Sequence, residues 1–372
     1  MNIGSYGWYY IFPAIIILLS VLGKPSKWKG ILVFLSLFFF TAFRGDYVGN
    51  DTMNYMESFN YIGGNLEFGE LTGINSLGKN LEFINILLHR ILYSLDFSSR
   101  SIITVYALIT YLFLYFAYRL YKFDLLYFCL FYVLTNMFFM TFNLSRQMCA
   151  ISILLVSYFY FIKGGKKNSI ISVLYILLAS SIHLSSLFSL IVFALKFIKI
   201  RRNYAIIITG FISSIFIVTV ISPLTLIFKY LNIEYISRYM GVYDEYNRSI
   251  IGQLFSLIIL ISKLYLFKKI SFNRNNRLTS DQLAQLELFF LSSVIIASMF
   301  DGANGMMGRI AMNFTIIQCL YLSILMENII TTRIKYKGDI IVATFLLLLL
   351  LFYGVGSYGY NGAFITGYYL MF

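Results

Sequence analysis

The sequence predicts an all-α, polytopic integral membrane protein of about twelve transmembrane helices. Three observations carry that prediction. First, 59% of the residues are hydrophobic and 12% charged, with a mean hydropathy of +0.79. That balance does not belong to a water-soluble domain. Second, apolar runs such as residues 11–22, 31–43 and 340–352 recur along the chain. About 17–25 mostly apolar residues cross a bilayer, fewer where the span is thin or its flanks snorkel. Third, the cations are sorted between the loops on the two sides, which gives the helices a direction.

The spans, in order, are 7–23, 30–43, 101–118, 125–141, 147–162, 168–182, 184–198, 203–228, 250–267, 284–300, 310–329 and 339–356. On this reading most of the 29 Lys and Arg residues fall on one side. They cluster at Lys24–Lys29, Arg119 and Lys122, Lys163–Lys167, Lys196–Arg202, Lys263–Arg277 and Arg333–Lys337. Cytoplasmic loops carry such an excess. The net charge of +13 is therefore a topological signal and not the footprint of a nucleic-acid partner. The first run lacks a basic leader and ends at Lys24, so it reads as an uncleaved span with the N-terminus outside. Segments 168–182 and 184–198 have basic flanks at both ends. Two short antiparallel helices turning near Ser181-Ile182-His183 keep both clusters inside. That turn is expected to sit in a cavity open to the outer side, since unpaired backbone is costly in lipid.

Two outer segments are long, 44–100 and 229–249. Within the first, Leu81, Ile84, Leu88, Ile91 and Leu95 recur at i, i+3, i+7, i+10 and i+14, an amphipathic helix on the membrane surface or against the spans. Glu82, Asn85 and His89 form a polar stripe on that helix and read as its solvated side. Cys129, Cys149 and Cys319 all fall inside spans, where they pack rather than form disulfides or bind metal. No repeat, low-complexity tract or soluble domain interrupts the chain, so residues 1–372 form one membrane domain.

The unusual groups gather at the outer ends of the spans. Arg44 and Asp51 belong to the turn-rich stretch Phe43-Arg44-Gly45-Asp46-Tyr47-Val48-Gly49-Asn50-Asp51-Thr52, which is either a capped loop or the mouth of a cavity. Arg146, in Ser145-Arg146-Gln147, sits between two spans with almost no loop. It either snorkels to the interface or binds phosphate bidentately. Arg309 follows a segment holding Gly302, Gly305 and Gly308, which allow close backbone approach to a ligand or simply a tight hairpin. His183 is one of two histidines; in an apolar setting it is either a packed core residue or a general base. No GxxxxGK[ST], HExxH, CxxC or GxSxG motif occurs, so no nucleotide, metal or other cofactor is expected. The spans also lack the buried carboxylates of an ion-coupled transporter.

Several of these residues, in this order, resemble the motifs of the EpsG family, which is related to Wzy-type polysaccharide polymerases. They are Arg44 with Val48-Gly49-Asn50-Asp51-Thr52 and Tyr55, Glu82 with Phe83 and Leu87, and Ser145-Arg146-Gln147. Leu178-Ala179-Ser180-Ser181-Ile182-His183 and Arg309-Ile310 complete the set. The resemblance implies polymerisation of undecaprenyl-diphosphate-linked oligosaccharide repeat units at the outer face of a bacterial inner membrane, building O-antigen, capsule or exopolysaccharide. It implies His183 or Asp51 as general base, and Arg44, Arg146, Arg309 and Glu82 around the diphosphate and substrate. Implied partners are the lipid-linked glycan, membrane lipids, and other assembly proteins such as a flippase and a chain-length regulator. The alternatives are a flippase for lipid-linked glycans, which would bind head groups without chemistry, and a membrane acyltransferase that decorates a glycan.

Overall fold

A computed structural model describes residues 15, 26–46, 48–49, 51–65, 73–74, 80–197, 201–218, 250–269, 279–299 and 306–331. Within them the fold is helical apart from a two-residue antiparallel ladder, Gly73–Ile74 with Asn80–Leu81. The helices are α1 (Lys27–Ala42), α2 (Thr52–Asn65), α3 (Phe83–Ser94), α4 (Ser101–Tyr121), α5 (Leu125–Leu134) and α6 (Met137–Asn143). They continue with α7 (Ser145–Lys163), α8 (Lys166–Ser180), a 3-10 helix (Leu184–Phe197), α9 (Arg202–Val218), α10 (Ile250–Lys269), α11 (Ser280–Met299) and α12 (Met306–Thr331).

Ten of the expected spans coincide with helices, but helices are not all spans. Among the described residues four are long and apolar enough to cross a bilayer: Ser101–Tyr121, Ser145–Lys163, Ser280–Met299 and Arg309–Asn328. A fifth results if α5 and α6 are joined as one broken span, bent by 63°. Those four or five are counted among the described residues alone. The expected spans 7–23 (apart from residue 15) and 339–356, and the end of 203–228, lie outside the described residues. Two of the others are short helices: α1 has 16 residues and α8 has 15. At 1.5 Å per residue such helices reach only about 22–24 Å, against a hydrocarbon core of about 30 Å. The 3-10 segment behaves differently. Its 14 residues, at about 2.0 Å rise, reach roughly 28 Å.

The segment 125–141 is not one straight span. The chain breaks at Thr135–Asn136, where Asn136 adopts φ 65° in the left-handed region. Every residue from Leu125 to Leu134 is buried, as expected of a helix that is apolar all round. Asp124 caps it by accepting hydrogen bonds from the amides of Leu126 (2.9 Å) and Tyr127 (3.3 Å).

α7 lies at the centre, with most of its side chains buried. Hydroxyls and amides tie it to its neighbours, as is common where lipid gives no hydrophobic drive for helix association. Ser157 Oγ meets Ser172 Oγ of α8 at 2.9 Å. Tyr158 donates to the carbonyl of Asn313 in α12 at 2.9 Å and meets Ser189 Oγ of the 3-10 helix at 2.9 Å. The three cysteines are free and buried, as expected. The outward surface is strongly apolar, with Leu32, Leu112, Leu174, Ile207, Phe211 and Ile261 among its exposed residues. A soluble monomer does not carry so much.

Helix α3 corrects one expectation. Its buried residues are Asn85, Ile86, His89 and Arg90, whereas Phe83, Leu87, Ile91 and the following Leu95 are exposed. The polar stripe read as solvated is the one that packs inward. In lipid the sense of amphipathicity reverses: apolar side chains lose nothing by facing out, while amides and imidazoles must find partners inside.

Candidate active site

α3 reaches the turn between α8 and the 3-10 helix and holds it by its backbone. The amide of Ile84 donates to the carbonyl of Ser181 at 3.2 Å, and Asn85 Nδ2 donates to the carbonyl of Ile182 at 2.7 Å. Glu82, just before α3, accepts from the amide of Leu184 at 3.2 Å. Tyr106 of α4 donates to Asn85 Oδ1 at 3.0 Å, so Asn85 is itself fixed. These bonds bracket His183 on both sides. Its own amide donates to the carbonyl of Ala179 at 2.9 Å, and its Nδ1 meets Ser185 Oγ at 2.8 Å. Asn313 of α12 secures Ser185 by donating to its carbonyl at 2.8 Å. The expected turn at residues 181–183 is present, with His183 in it.

Glu82 also binds Arg146. Its Oε2 accepts from Arg146 Nη1 at 3.0 Å and from Asn85 Nδ2 at 3.0 Å. The guanidinium lies 5.8 Å over the ring of Tyr55. Gln147, the next residue on α7, donates Nε2 to the backbone carbonyl of Arg309 at 2.6 Å. Thus the opening of α7 and the first turns of α12 are joined, and two arginines distant in sequence come to one place.

That place is a cavity of about 90 Å³ lined by Asp51, Asn54, Tyr55, Ser58, Leu81, His89, Leu144, Arg146, Gln147, His183 and Arg309. Four of the six residues singled out from the sequence line it: Asp51, Arg146, His183 and Arg309. Glu82 braces the cavity through Arg146 and the His183 turn. Arg44 does not line it. It is buried and donates from Nε to Thr52 Oγ1 (3.1 Å), from Nη1 to the carbonyl of Thr41 (3.1 Å) and from Nη2 to Ser145 Oγ (2.9 Å). Arg44 thereby clasps the end of α1, the start of α2 and the start of α7. The loop before α2 is tight against α6. Gly49 has φ +88°, and a Cβ there would collide with the carbonyl of Phe142.

Burial, and then the charges of Arg146 and Arg309, push the His183 imidazole down from 6.5 to about 3. His89 is pushed down to about 4, again chiefly by burial. Both are neutral at physiological pH. Among the described residues no group of three or more His, Cys, Asp and Glu could hold a metal ion.

Sequence reasoning placed Gln147 in a motif without giving it a role, and it missed Asn85 and His89. Asn85 and His89 were assigned to water on the period of one helix. The missed signal was their place beside Glu82 on a helix whose other side is fully apolar.

Apolar helices and a cavity lined by Arg146, Arg309, His183 and Asp51 define an integral membrane protein with a polar, partly cationic pocket. Comparison with models of protein families matches residues 27–369 to the EpsG family. The chain belongs to that family, which is Wzy-like. No curated protein and no solved structure matches it.

Proposed function

We propose that the cavity is the active site of a polysaccharide polymerase that joins undecaprenyl-diphosphate-linked repeat units at the outer face of the bacterial inner membrane. The observation that carries this reading is the convergence of two guanidinium groups, a neutral imidazole and a carboxylate on one small cavity. Arg146 and Arg309 bind the diphosphate and stabilise the charge that develops on it as it leaves. The hydroxyl oxygen of the acceptor sugar attacks the anomeric carbon of the donor. The bond from that carbon to the diphosphate oxygen breaks, and its electron pair leaves with undecaprenyl diphosphate. The hydroxyl proton passes to His183, with Asp51 as the other acceptor at hand. The diphosphate already activates the donor, so no nucleotide is consumed.

Electrostatics supports the pairing of these roles. Burial first, and then the two arginines, hold the His183 imidazole neutral. A bound diphosphate offsets their charge and raises the basicity of His183 when a proton must be taken up. Glu82 and Arg44 are positioning residues: the first aims Arg146 and fixes the His183 turn, the second fixes the loop that carries Asp51. The exposed apolar face of α3 gives a polyprenyl chain lipid contact beside the cavity. The cation sorting of the loops supports an outward-facing cavity.

The test is purified protein incubated with lipid-linked repeat units extracted from cells lacking it, without nucleotide. A ladder of polymer and release of undecaprenyl diphosphate are expected. Transfer of the lipid-linked unit across a vesicle bilayer without any ladder would favour the flippase reading instead.

A further inference from the structure

The cavity has two chemically different sides. Arg146 and Arg309 bring fixed positive charge from α7 and α12. Helix α2 brings something else. Asp51 precedes it directly, and Asp51, Asn54, Tyr55 and Ser58 are spaced i, i+3, i+4 and i+7, so one face of α2 forms one wall. Asn54 Nδ2 donates to Asp51 Oδ1 at 3.3 Å, which orients the carboxamide and the carboxylate together. His89 adds to this wall from α3. Its Nδ1 lies 2.6 Å from the carbonyl of Asn85, and a carbonyl can only accept, so Nδ1 carries the proton. Nε2 is then a bare acceptor, and it is buried without a hydrogen-bond partner.

A carboxylate and a bare imidazole nitrogen only accept. They repel phosphate and favour a ligand that donates, while the Asn54 amide and the Ser58 hydroxyl both donate and accept. Polyol hydroxyls match that set. The cavity is small, about 90 Å³, so a large ligand meets it at one edge, such as the hydroxyl-bearing edge of a sugar ring.

We propose that Asp51, Asn54, Ser58 and His89 form the recognition wall for the hydroxyl edge of the acceptor's terminal sugar; this rests on the polymerase reading. The wall presents the attacking hydroxyl to the donor held by the arginines, and it selects which sugars are accepted. Asn54, Ser58 and His89 lie outside the motif residues quoted above.

The experiment uses the full chain with extracted lipid-linked repeat units, and inorganic pyrophosphate as a probe of the arginine side. Asn54→Ala, Ser58→Ala and His89→Leu are each compared with wild type for thermal stability, half-saturating substrate concentration and inhibition by pyrophosphate. Each of the three should raise the half-saturating concentration roughly tenfold, the weight of one hydrogen bond, with pyrophosphate inhibition unchanged. His89→Leu removes an unsatisfied buried acceptor, so its stability should hold or rise. Wild-type saturation in folded Asn54→Ala and Ser58→Ala would overturn the proposal, as would equal weakening of pyrophosphate inhibition. Should Asn54→Ala fail to fold, Ser58→Ala, which changes one hydroxyl, decides. If the wild-type protein makes no ladder at all, the polymerase reading itself fails, a result separable from both.

Discussion

Arg146→Lys keeps the charge of the cavity and removes its shape. The wild-type guanidinium donates to Glu82 at 3.0 Å and lies 5.8 Å over Tyr55. Its planar fork can serve Glu82 and a phosphate together, whereas an ammonium is a point donor on a flexible stem. The structural loss is one charge-assisted hydrogen bond, about 1.5–3 kcal/mol at full burial. Both partners are about one-fifth exposed, so the lower part of that range applies. The loss in catalysis is larger. Removing a donor aimed at the leaving group's developing charge costs about 2.7–4 kcal/mol, or roughly 100–1000-fold in rate. The two effects are read separately, by thermal unfolding and by the initial rate of ladder formation from lipid-linked repeat units. Arg146→Lys should unfold within a few degrees of wild type and polymerise at least about 100-fold more slowly. A wild-type rate in the folded Lys variant would refute the phosphate role and leave Arg146 as a snorkelling side chain held by Glu82.

His183→Gln, which cannot take a proton, should be nearly as slow as His183→Ala, each about 100–10000-fold below wild type, while both still bind donor; full activity in the Gln variant would shift the base to Asp51. Only neutral imidazole accepts the proton, and burial with two arginines lowers it to about 3, so the rate at limiting substrate, which reports the free site, should be flat near neutrality and decline only well below pH 6. For both histidines the folded form resists protonation, so stability is full above about 6.5 and falls by about 1.4 kcal/mol per pH unit for each imidazole as pH drops towards 4. Acid unfolding of His89→Leu should show half that slope. Arg44→Ala should lower stability by more than about 2 kcal/mol, seen in thermal scans, through the loss of its buried hydrogen bonds. Its surviving folded fraction should keep wild-type pyrophosphate inhibition. Gly49→Ala should lower both stability and rate, because its Cβ drives the Asp51 loop off α6. Cysteines placed at Lys166 and Lys269 should label from the cytoplasm and those at Ser76 and Asn247 from outside; labelling of position 269 in intact cells would overturn the topology.

The sequence alone determined the solvent, the helical class and the family. Composition requires lipid around the chain, and the bilayer then requires helices, because it leaves no water for unpaired backbone. Asp51, Arg146, His183 and Arg309 were legible because charge at the end of an apolar run needs a reason to be there. What the tertiary structure decided is which of these groups meet and what each one touches. Arg44 looks like Arg146 in the sequence, but hydrogen bonds to Thr41, Thr52 and the distant Ser145 bury it, while Arg146 keeps an edge on the cavity. Glu82 and Asn85 look like the wet side of a surface helix, yet they bind the turn of His183 about a hundred residues away. Span geometry, too, was decided by the tertiary structure. Hydropathy measures how apolar a segment is, whereas a crossing also depends on rise per residue, on breaks such as Asn136, and on which neighbours cover a short helix. Those are contacts between residues far apart in the chain, and no periodicity within a single segment encodes them.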